Sequence, residues 1–166
     1  MVTKMKLESV CAVFAACLLA GCATSPISKP LRLAAEKDVT FERASKGPEA
    51  FKGSLVIWGG YIVDTVNVSS GTEIIVLDTP LVGADEPAPP EASAGRFLAR
   101  VNKFLDPAVY SKGAKVTVAG RLAGWEMQPL GKIQYPYPVL KVEEIHLWPQ
   151  EKPSAGGFQL GVGVGF

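Results

Sequence analysis

The sequence has few of the residues on which thiol and metal chemistry depend. It contains three cysteines and one histidine among 166 residues. Cys11 and Cys17 lie in an apolar N-terminal stretch that we predict is removed, and Cys22 follows that stretch directly. The mature chain then keeps a single cysteine, which excludes disulfides within the chain, thiol catalysis and cysteine-rich metal sites.

Motifs for acyl transfer and nucleotide binding are also missing. After residue 21 there is no G-x-S-x-G, no P-loop and no G-x-G-x-x-G, the patterns that position a nucleophilic serine or cradle phosphates. The single histidine, His146, lies near Glu144, but carboxylates with one histidine would suit only hard cations. We therefore expect no enzymatic activity, no metal and no cofactor.

The chain also has no large excess of positive or negative charge. The whole chain carries 17 basic and 16 acidic residues. Removal of residues 1–21 takes away Lys4, Lys6 and Glu8, so 15 of each sign remain. A neutral domain lacks the concentrated positive charge that binding to a polyanion requires. We expect no nucleic-acid partner.

A lipoprotein signal is present at the N-terminus. Lys4 and Lys6 supply a short positive region, and the apolar run Val10 to Ala20 is too short for the ~20 residues that span a bilayer. Leu19-Ala20-Gly21-Cys22 has the form of a lipobox. We predict that residues 1–21 are a removed signal peptide and that Cys22 is lipidated; ordinary secretory cleavage without lipid is the alternative.

The residues after Cys22 predict the destination. Several acyl chains such as palmitate hold a protein firmly on a bilayer, whereas one chain binds only marginally. Ala23 and Thr24 lack the aspartate that marks inner-membrane retention. We therefore expect handling by the lipoprotein sorting machinery and an outer-membrane location, lipid-anchored and facing the periplasm.

The remaining sequence indicates a mainly β domain. Residues 22–50 form the lipidated N-terminus and an extended tether with early serines and prolines, and residues 51–150 form the domain. Strands are predicted over 53–68, with a bend or bulge at Gly59-Gly60, and over 72–78, 115–122 and 139–148. Residues 79–95 are predicted to be an exposed proline-rich loop that cannot form a ladder, and 124–131 a turn region.

One short helix is predicted in the middle of the domain. Asp106 precedes Pro107 as an N-cap would, and Gly113 ends the segment. Short strands without βαβ units favour an antiparallel barrel or sandwich. A bent first strand, a helical connection and two further strands resemble a small OB-like barrel.

Several stretches together resemble a known family. They are Val56-Ile57-Trp58-Gly59-Gly60 with Asn67, Gly95-Arg96-Phe97-Leu98, Phe104-Leu105-Asp106-Pro107 with Tyr110, Gly113 with Val116-Thr117-Val118-Ala119-Gly120, Tyr135-Pro136-Tyr137-Pro138 and His146-Leu147-Trp148, all after the lipobox. In this order they resemble the Slp-type, starvation-inducible outer-membrane lipoproteins. The resemblance implies an envelope lipoprotein associated with stress or stationary phase and implies no established catalysis. The glycine-rich tail after Pro153 departs from it.

Five residues are candidate contacts for a ligand or partner. Arg96 and Asp106 lie among large apolar residues and could grip a ligand as a pair, although a capping role explains Asp106 and a donor role to Asp106 or loop carbonyls explains Arg96. Tyr135, Tyr137 and Trp148 could line a groove for a glycan or lipid. Aromatic residues also fill barrel cores, which is the competing interpretation.

The C-terminal residues 151–166 form a separate segment. Phe158 to Phe166 alternate apolar residues with glutamine and glycine, as in the last strand of outer-membrane barrels. This segment is either a flexible glycine-rich tail or a strand that adds to the edge of a sheet.

The hypothesis from sequence is a non-enzymatic outer-membrane lipoprotein. It would serve envelope maintenance or stress adaptation by binding a partner protein, a glycan or a lipid. The alternative is an accessory subunit of an outer-membrane assembly engaged through the C-terminal strand. An envelope hydrolase is a third and less favoured hypothesis.

Overall fold

The structure is a computed structural model that describes residues 24–150. The predictions for the signal peptide, for Cys22 and for the tail 151–166 lie outside these residues. Within the described range, no helix is long and apolar enough to cross a bilayer.

Strands make up most of this range, which confirms the prediction of a mainly β chain. They are β1 (Leu55–Val68), β2 (Gly71–Asp78), β3 (Leu81–Val82), β4 (Glu86–Pro87), β5 (Gly95–Val101), β6 (Lys115–Leu130) and β7 (Ile133–Leu147). Two α-helices precede them, α1 (Lys29–Ala34) and α2 (Phe41–Lys46), and short 3-10 helices cover Pro48–Phe51 and Pro90–Ala92.

Five of the strands close into a barrel in the order β1-β2-β5-β7-β6. All neighbouring pairs are antiparallel except β5 and β7, which run parallel where Leu98–Arg100 face Val139–Lys141. β3 and β4 form a separate two-stranded ladder. The barrel therefore depends on one parallel contact between strands that are distant in the sequence.

β1 pairs with two different strands along its length. Its first part, Leu55–Tyr61, pairs with β6, and its second part, Gly60–Val68, pairs with β2. A Cβ at residue 60 would overlap the backbone carbonyl of Leu77, so only glycine permits this approach. β1 changes its pairing partner here, whereas its irregularity against β2 lies between Ile62 and Asp64 and not at the predicted Gly59-Gly60.

Alternate residues of the barrel strands point inward and fill one core. The alternation arises because successive side chains of a strand face opposite sides. The buried apolar members include Val56, Trp58, Ile62, Ile74, Val76, Phe97, Ala99, Val116, Val118, Leu122 and Leu140.

The extended tether predicted for residues up to 50 is wrong in the described part. Ile27 is only 1% exposed, and α1 and α2 follow it. The Thr40 hydroxyl accepts a hydrogen bond from the Arg43 backbone at 3.3 Å and caps α2, while Phe41 and Ala44 are buried. Burial of these apolar residues outweighs the early serine and proline signal.

The helix predicted after Asp106 is also wrong, since the segment forms only a turn. The carboxylate of Asp106 accepts a hydrogen bond from the Ala108 backbone at 2.8 Å, so the capping interaction exists. However, Phe104 and Val109 are 69% and 52% exposed. Only Leu105 and Tyr110 of this stretch pack on the core, and a short helix with so little apolar burial is marginal in water.

The turn region predicted for 124–131 is strand, because β6 continues to Leu130 and pairs with β7 from Ile133. Only Gly131 and Lys132 form the turn, with Gly131 at φ 61°. Pro136 and Pro138 lie inside β7, in the part that precedes its pairing with β5. A strand tolerates proline there because no ladder with β5 requires the missing N–H groups.

The proline-rich loop is less exposed than predicted. β3 and β4 form a short ladder within it, in which Leu81 pairs with Pro87 and Val82 with Glu86. Pro87 is buried. Proline can take this place because the ladder is only two residues long and has free edges.

We expect Gly60→Ala to destabilise the domain by at least ~3 kcal/mol, because the new methyl group would collide with backbone rather than with a movable side chain. Urea unfolding measures this change. Gly47→Ala is the matched control, since a Cβ at residue 47 meets nothing within 4 Å. Equal loss of stability in the two variants would contradict the role assigned to Gly60.

Candidate functional site

A cleft of about 800 Å³ opens at the end of the barrel where the N-terminal helices pack. Its walls come from α1, the start of α2, β1, the end of β2 and the segment that carries β3. Its lining includes polar and aromatic side chains: Arg32, Phe41, Glu42, Trp58, Asp78, Thr79 and Asp85. The volume is within the range typical of small-molecule sites.

Trp58 holds the helices against this end of the barrel. Its indole packs edge-on against Phe41 at 5.6 Å and against Phe97 at 5.5 Å, measured between ring centroids. Its Nε1 donates a hydrogen bond to the Val39 carbonyl at 3.1 Å. The side chain therefore joins β1, the connection between the two helices and the core.

The opposite wall is attached to β6. The Thr117 hydroxyl donates to the Asp85 carbonyl at 2.6 Å, and the Lys115 ammonium pairs with Glu86 at 2.5 Å. Asp85 adopts a left-handed conformation with φ 62°, which aspartate tolerates better than most residues. These contacts keep the segment in place beside the cleft.

Among residues 24–150, two polar atoms in the cleft wall are buried without a hydrogen-bond partner. They are Nε of Arg32 and the hydroxyl oxygen of Thr79. Thr79 is 1% exposed, and its backbone N–H donates to the Gly59 carbonyl at 3.0 Å, so its position is set. An unsatisfied buried group costs roughly 1–3 kcal/mol.

Asp78 is the third unusual group. It ends β2 and is only 6% exposed. Burial, and secondarily the negative charge of Glu42, raise its pKa to about 7. No residue within 24–150 donates a hydrogen bond to its carboxyl group. Near neutral pH this group can therefore donate or accept a hydrogen bond.

Acidic residues outnumber basic ones around the cleft. Besides Asp78, the lining contains Glu36, Glu42 and Asp85, against Arg32 and Lys37. This balance disfavours a strongly anionic ligand. It suits a ligand whose polar groups are mainly neutral.

The predicted pair of Arg96 and Asp106 does not form. The backbone N–H of Arg96 donates to the Tyr135 hydroxyl at 3.1 Å, whereas Asp106 is exposed and caps its own turn. No hydrogen bond or ion pair joins the two side chains in the described part of the chain. Neither residue lines the cleft.

The aromatic candidates have structural contacts. Tyr137 is 1% exposed and packs against Leu98 and Val139. Its ring lies 4.8 Å from that of Tyr135. This favours the core-filling interpretation for both tyrosines, and neither lines the cleft.

Trp148 and His146 pack against each other beside β6. The Trp148 indole donates to the Thr117 hydroxyl at 2.9 Å, and its ring lies edge-on at 4.9 Å from His146. Residues 24–150 hold no group of three side chains that could bind a metal.

Sequence reasoning missed Arg32, Asp78 and Thr79. Arg32 lay in the predicted tether, and Asp78-Thr79 formed the boundary between a strand and a loop. One signal was available, since Asp78 follows the apolar run Ile74–Leu77 and precedes Pro80. A carboxylate at such a position is placed at the barrel end with little access to water.

Comparisons with known proteins agree on one family. A model described as the outer membrane lipoprotein Slp family matches residues 19–161. An uncharacterized lipoprotein, YeaY of Escherichia coli K12, is 30% identical over 148 residues, covering 89% of this chain and 75% of its own length. Outer membrane protein Slp of the same strain is 27% identical over 134 residues, covering 79% and 69%. No solved structure matches.

Stability should depend on pH through Asp78. The unfolded chain loses this proton near pH 4 and the folded chain near pH 7, so the free energy of unfolding falls across that window by up to ~1.4 kcal/mol per pH unit. We expect Asp78→Asn to remove this fall. Denaturant unfolding between pH 4 and 8 tests it, with the exposed Asp64→Asn as control. Parallel curves for wild type and Asp78→Asn would contradict the assignment.

Proposed function

We propose that this chain, which belongs to the outer membrane lipoprotein Slp family, is a non-enzymatic binding protein of the bacterial envelope. It is held on the outer membrane by lipid on Cys22 and faces the periplasm. The lipobox Leu19–Cys22 lies inside the segment that matches the family, 19–161, which supports this anchor. Its role is envelope maintenance or stress adaptation.

We also assign the barrel to the OB type. The circular order β1-β2-β5-β7-β6 and the parallel contact of β5 with β7 support this assignment, together with the change of partner along β1 from β6 to β2 at Gly60-Tyr61. The assignment concerns the fold alone and carries no binding of oligonucleotides with it.

The observation that carries the binding proposal is the set of unsatisfied polar groups in one cleft. Nε of Arg32, the Thr79 hydroxyl and the Asp78 carboxyl all lack partners among residues 24–150. Phe41 and Trp58 make the adjoining wall apolar. The complementary ligand carries neutral hydroxyl groups on an apolar body, as a glycan fragment or a glycosylated lipid head group does.

Hydrolysis is the second candidate function. A buried carboxyl with a raised pKa beside a second carboxylate, here Asp78 and Glu42, is typical of general acids. A catalytic group also needs a partner that orients it. Asp78 has no such partner within the described range, so the geometry supports binding better than turnover.

An accessory role in an outer-membrane assembly is the remaining alternative. It would use the alternating residues 158–166 as an added strand. Crosslinking of intact cells with and without residues 156–166 distinguishes the two roles. Loss of a crosslinked partner on deletion favours the assembly.

The binding proposal predicts opposite effects of Thr79→Val on stability and on binding. Valine removes the unsatisfied hydroxyl at nearly equal volume, so the unliganded protein should gain ~1 kcal/mol or be unchanged. Binding of fractionated envelope glycans and glycolipids, measured as a shift in melting temperature and by native mass spectrometry, should weaken at least tenfold.

Arg32→Met should weaken binding in the same assay, and Lys29→Met is its matched control. Lys29 is exposed on the same helix and does not line the cleft. If a ligand binds Thr79→Val and Arg32→Met as tightly as it binds wild type and the control Lys29→Met, the cleft is not its site. Turnover of a bound glycan that Asp78→Asn abolishes would favour the hydrolase.

The anchor predicts a clear result for Cys22→Ala. The variant should incorporate no labelled palmitate and should be lost from the outer-membrane fraction. Cys17→Ala is the matched control, because that cysteine lies in the predicted signal peptide, and it should behave as wild type. Labelling of Cys22→Ala at the wild-type level would contradict the anchor.

A further inference from the structure

We propose that the tip of the β6–β7 hairpin lies in the head-group region of the membrane to which the protein is anchored. The hairpin tip comprises residues 125–138. The inference rests on the proposed lipid at Cys22 and adds a second, protein-mediated contact with phospholipid.

The hairpin tip extends beyond the barrel contact between β5 and β7. That contact involves only Val139–Lys141 of β7, whereas residues 125–138 pair across the hairpin itself. On one face Trp125 pairs with Pro138, Met127 with Pro136 and Pro129 with Gln134. The face therefore contains no charged residue over a length of ~13 Å.

Most of this face is open to solvent in the described structure. Trp125 is 50% exposed and Met127 is 51% exposed. Pro136, opposite Met127, is exposed as well, whereas Pro138, opposite Trp125, is buried. Large apolar side chains that cluster in this way mark a surface for a partner or a membrane.

The other face of the hairpin tip contacts the domain near the barrel, while Ile133 at its far end is 59% exposed. The Arg100 guanidinium pairs with Glu126 at 2.7 Å and with Glu73 at 2.7 Å, and the Gln128 amide donates to Glu126 at 3.0 Å. Tyr135 and Tyr137 pack on the same side. These contacts fix the orientation of the apolar face relative to the barrel.

The hairpin tip lies beside the segment that precedes β1. A Cβ at Gly95 would touch both the Phe41 ring and the Tyr135 hydroxyl, and Glu49 lies near Gly124 at the base of the hairpin. Thr24, the first described residue, lines the same cleft as Phe41. Cys22 precedes Thr24 by two residues, a reach of at most ~7 Å, so the proposed lipid would hold this part of the domain near the bilayer.

The chemistry of the tip fits a phospholipid surface. Tryptophan concentrates at the level of the head groups, where its ring is apolar and its N–H is hydrated. Lys132 in the turn suits anionic phospholipid. Pro136 and Pro138 disfavour addition of a strand from another protein, because proline blocks edge pairing.

The test uses tryptophan fluorescence of the full lipidated protein in vesicles of phosphatidylethanolamine and phosphatidylglycerol. Brominated acyl chains quench only tryptophan that reaches the bilayer. Trp58 is 5% exposed in the core, and Trp148 is hydrogen-bonded to Thr117. We expect quenching in wild type, its retention in Trp148→Phe and the loss of most of it in Trp125→Phe.

Met127→Glu should also reduce the quenching at least twofold without lowering the melting temperature, because Met127 is half exposed. Protein that sediments with vesicles while Trp125 stays unquenched would overturn the inference and leave the lipid anchor intact. Crosslinks from residue 127 to a second copy, without quenching, would overturn it in favour of self-association. Failure to sediment with vesicles would overturn both the anchor and the inference.

Discussion

The position of Trp58 is the constraint on which the rest of the molecule depends. One side chain contacts the core through Phe97, covers Phe41 of α2 and bonds to the backbone at Val39. Edge-to-face aromatic pairs add roughly 0.5–1.5 kcal/mol each to the gain from burial. Because of these contacts the residues before β1 become part of the domain, and the cleft has a wall instead of an open barrel end.

The same arrangement explains why polar groups remain unsatisfied in the cleft. Arg32 and Thr79 come from opposite sides of it, one from α1 and one from the end of β2. Both residues line the same cleft, and no hydrogen bond joins them within residues 24–150. Such uncompensated burial is expensive in a small domain, which is why these two groups support the proposed binding site.

The sequence predicted the β class because the β-prone runs 53–68, 72–78, 115–122 and 139–148 are local signals. It failed where the outcome depended on a distant partner. Ile27 and Val39 are ordinary apolar residues until the folded domain buries them, and the Asp106-Pro107 signal is satisfied by a turn with a cap. The site was out of reach for the same reason, since residues 32 and 79 line one cleft only in the folded domain.

The parallel pairing of Leu98–Arg100 with Val139–Lys141 also affects the rate at which the protein can fold. The β1–β2 and β6–β7 hairpins bring together neighbours in sequence, while this pairing closes a loop of about forty residues and carries the larger entropic cost. Leu55 pairs with Arg121 across a still longer stretch of chain. Contacts of such large sequence separation slow folding, so we expect this barrel to fold more slowly than a helical bundle of the same length.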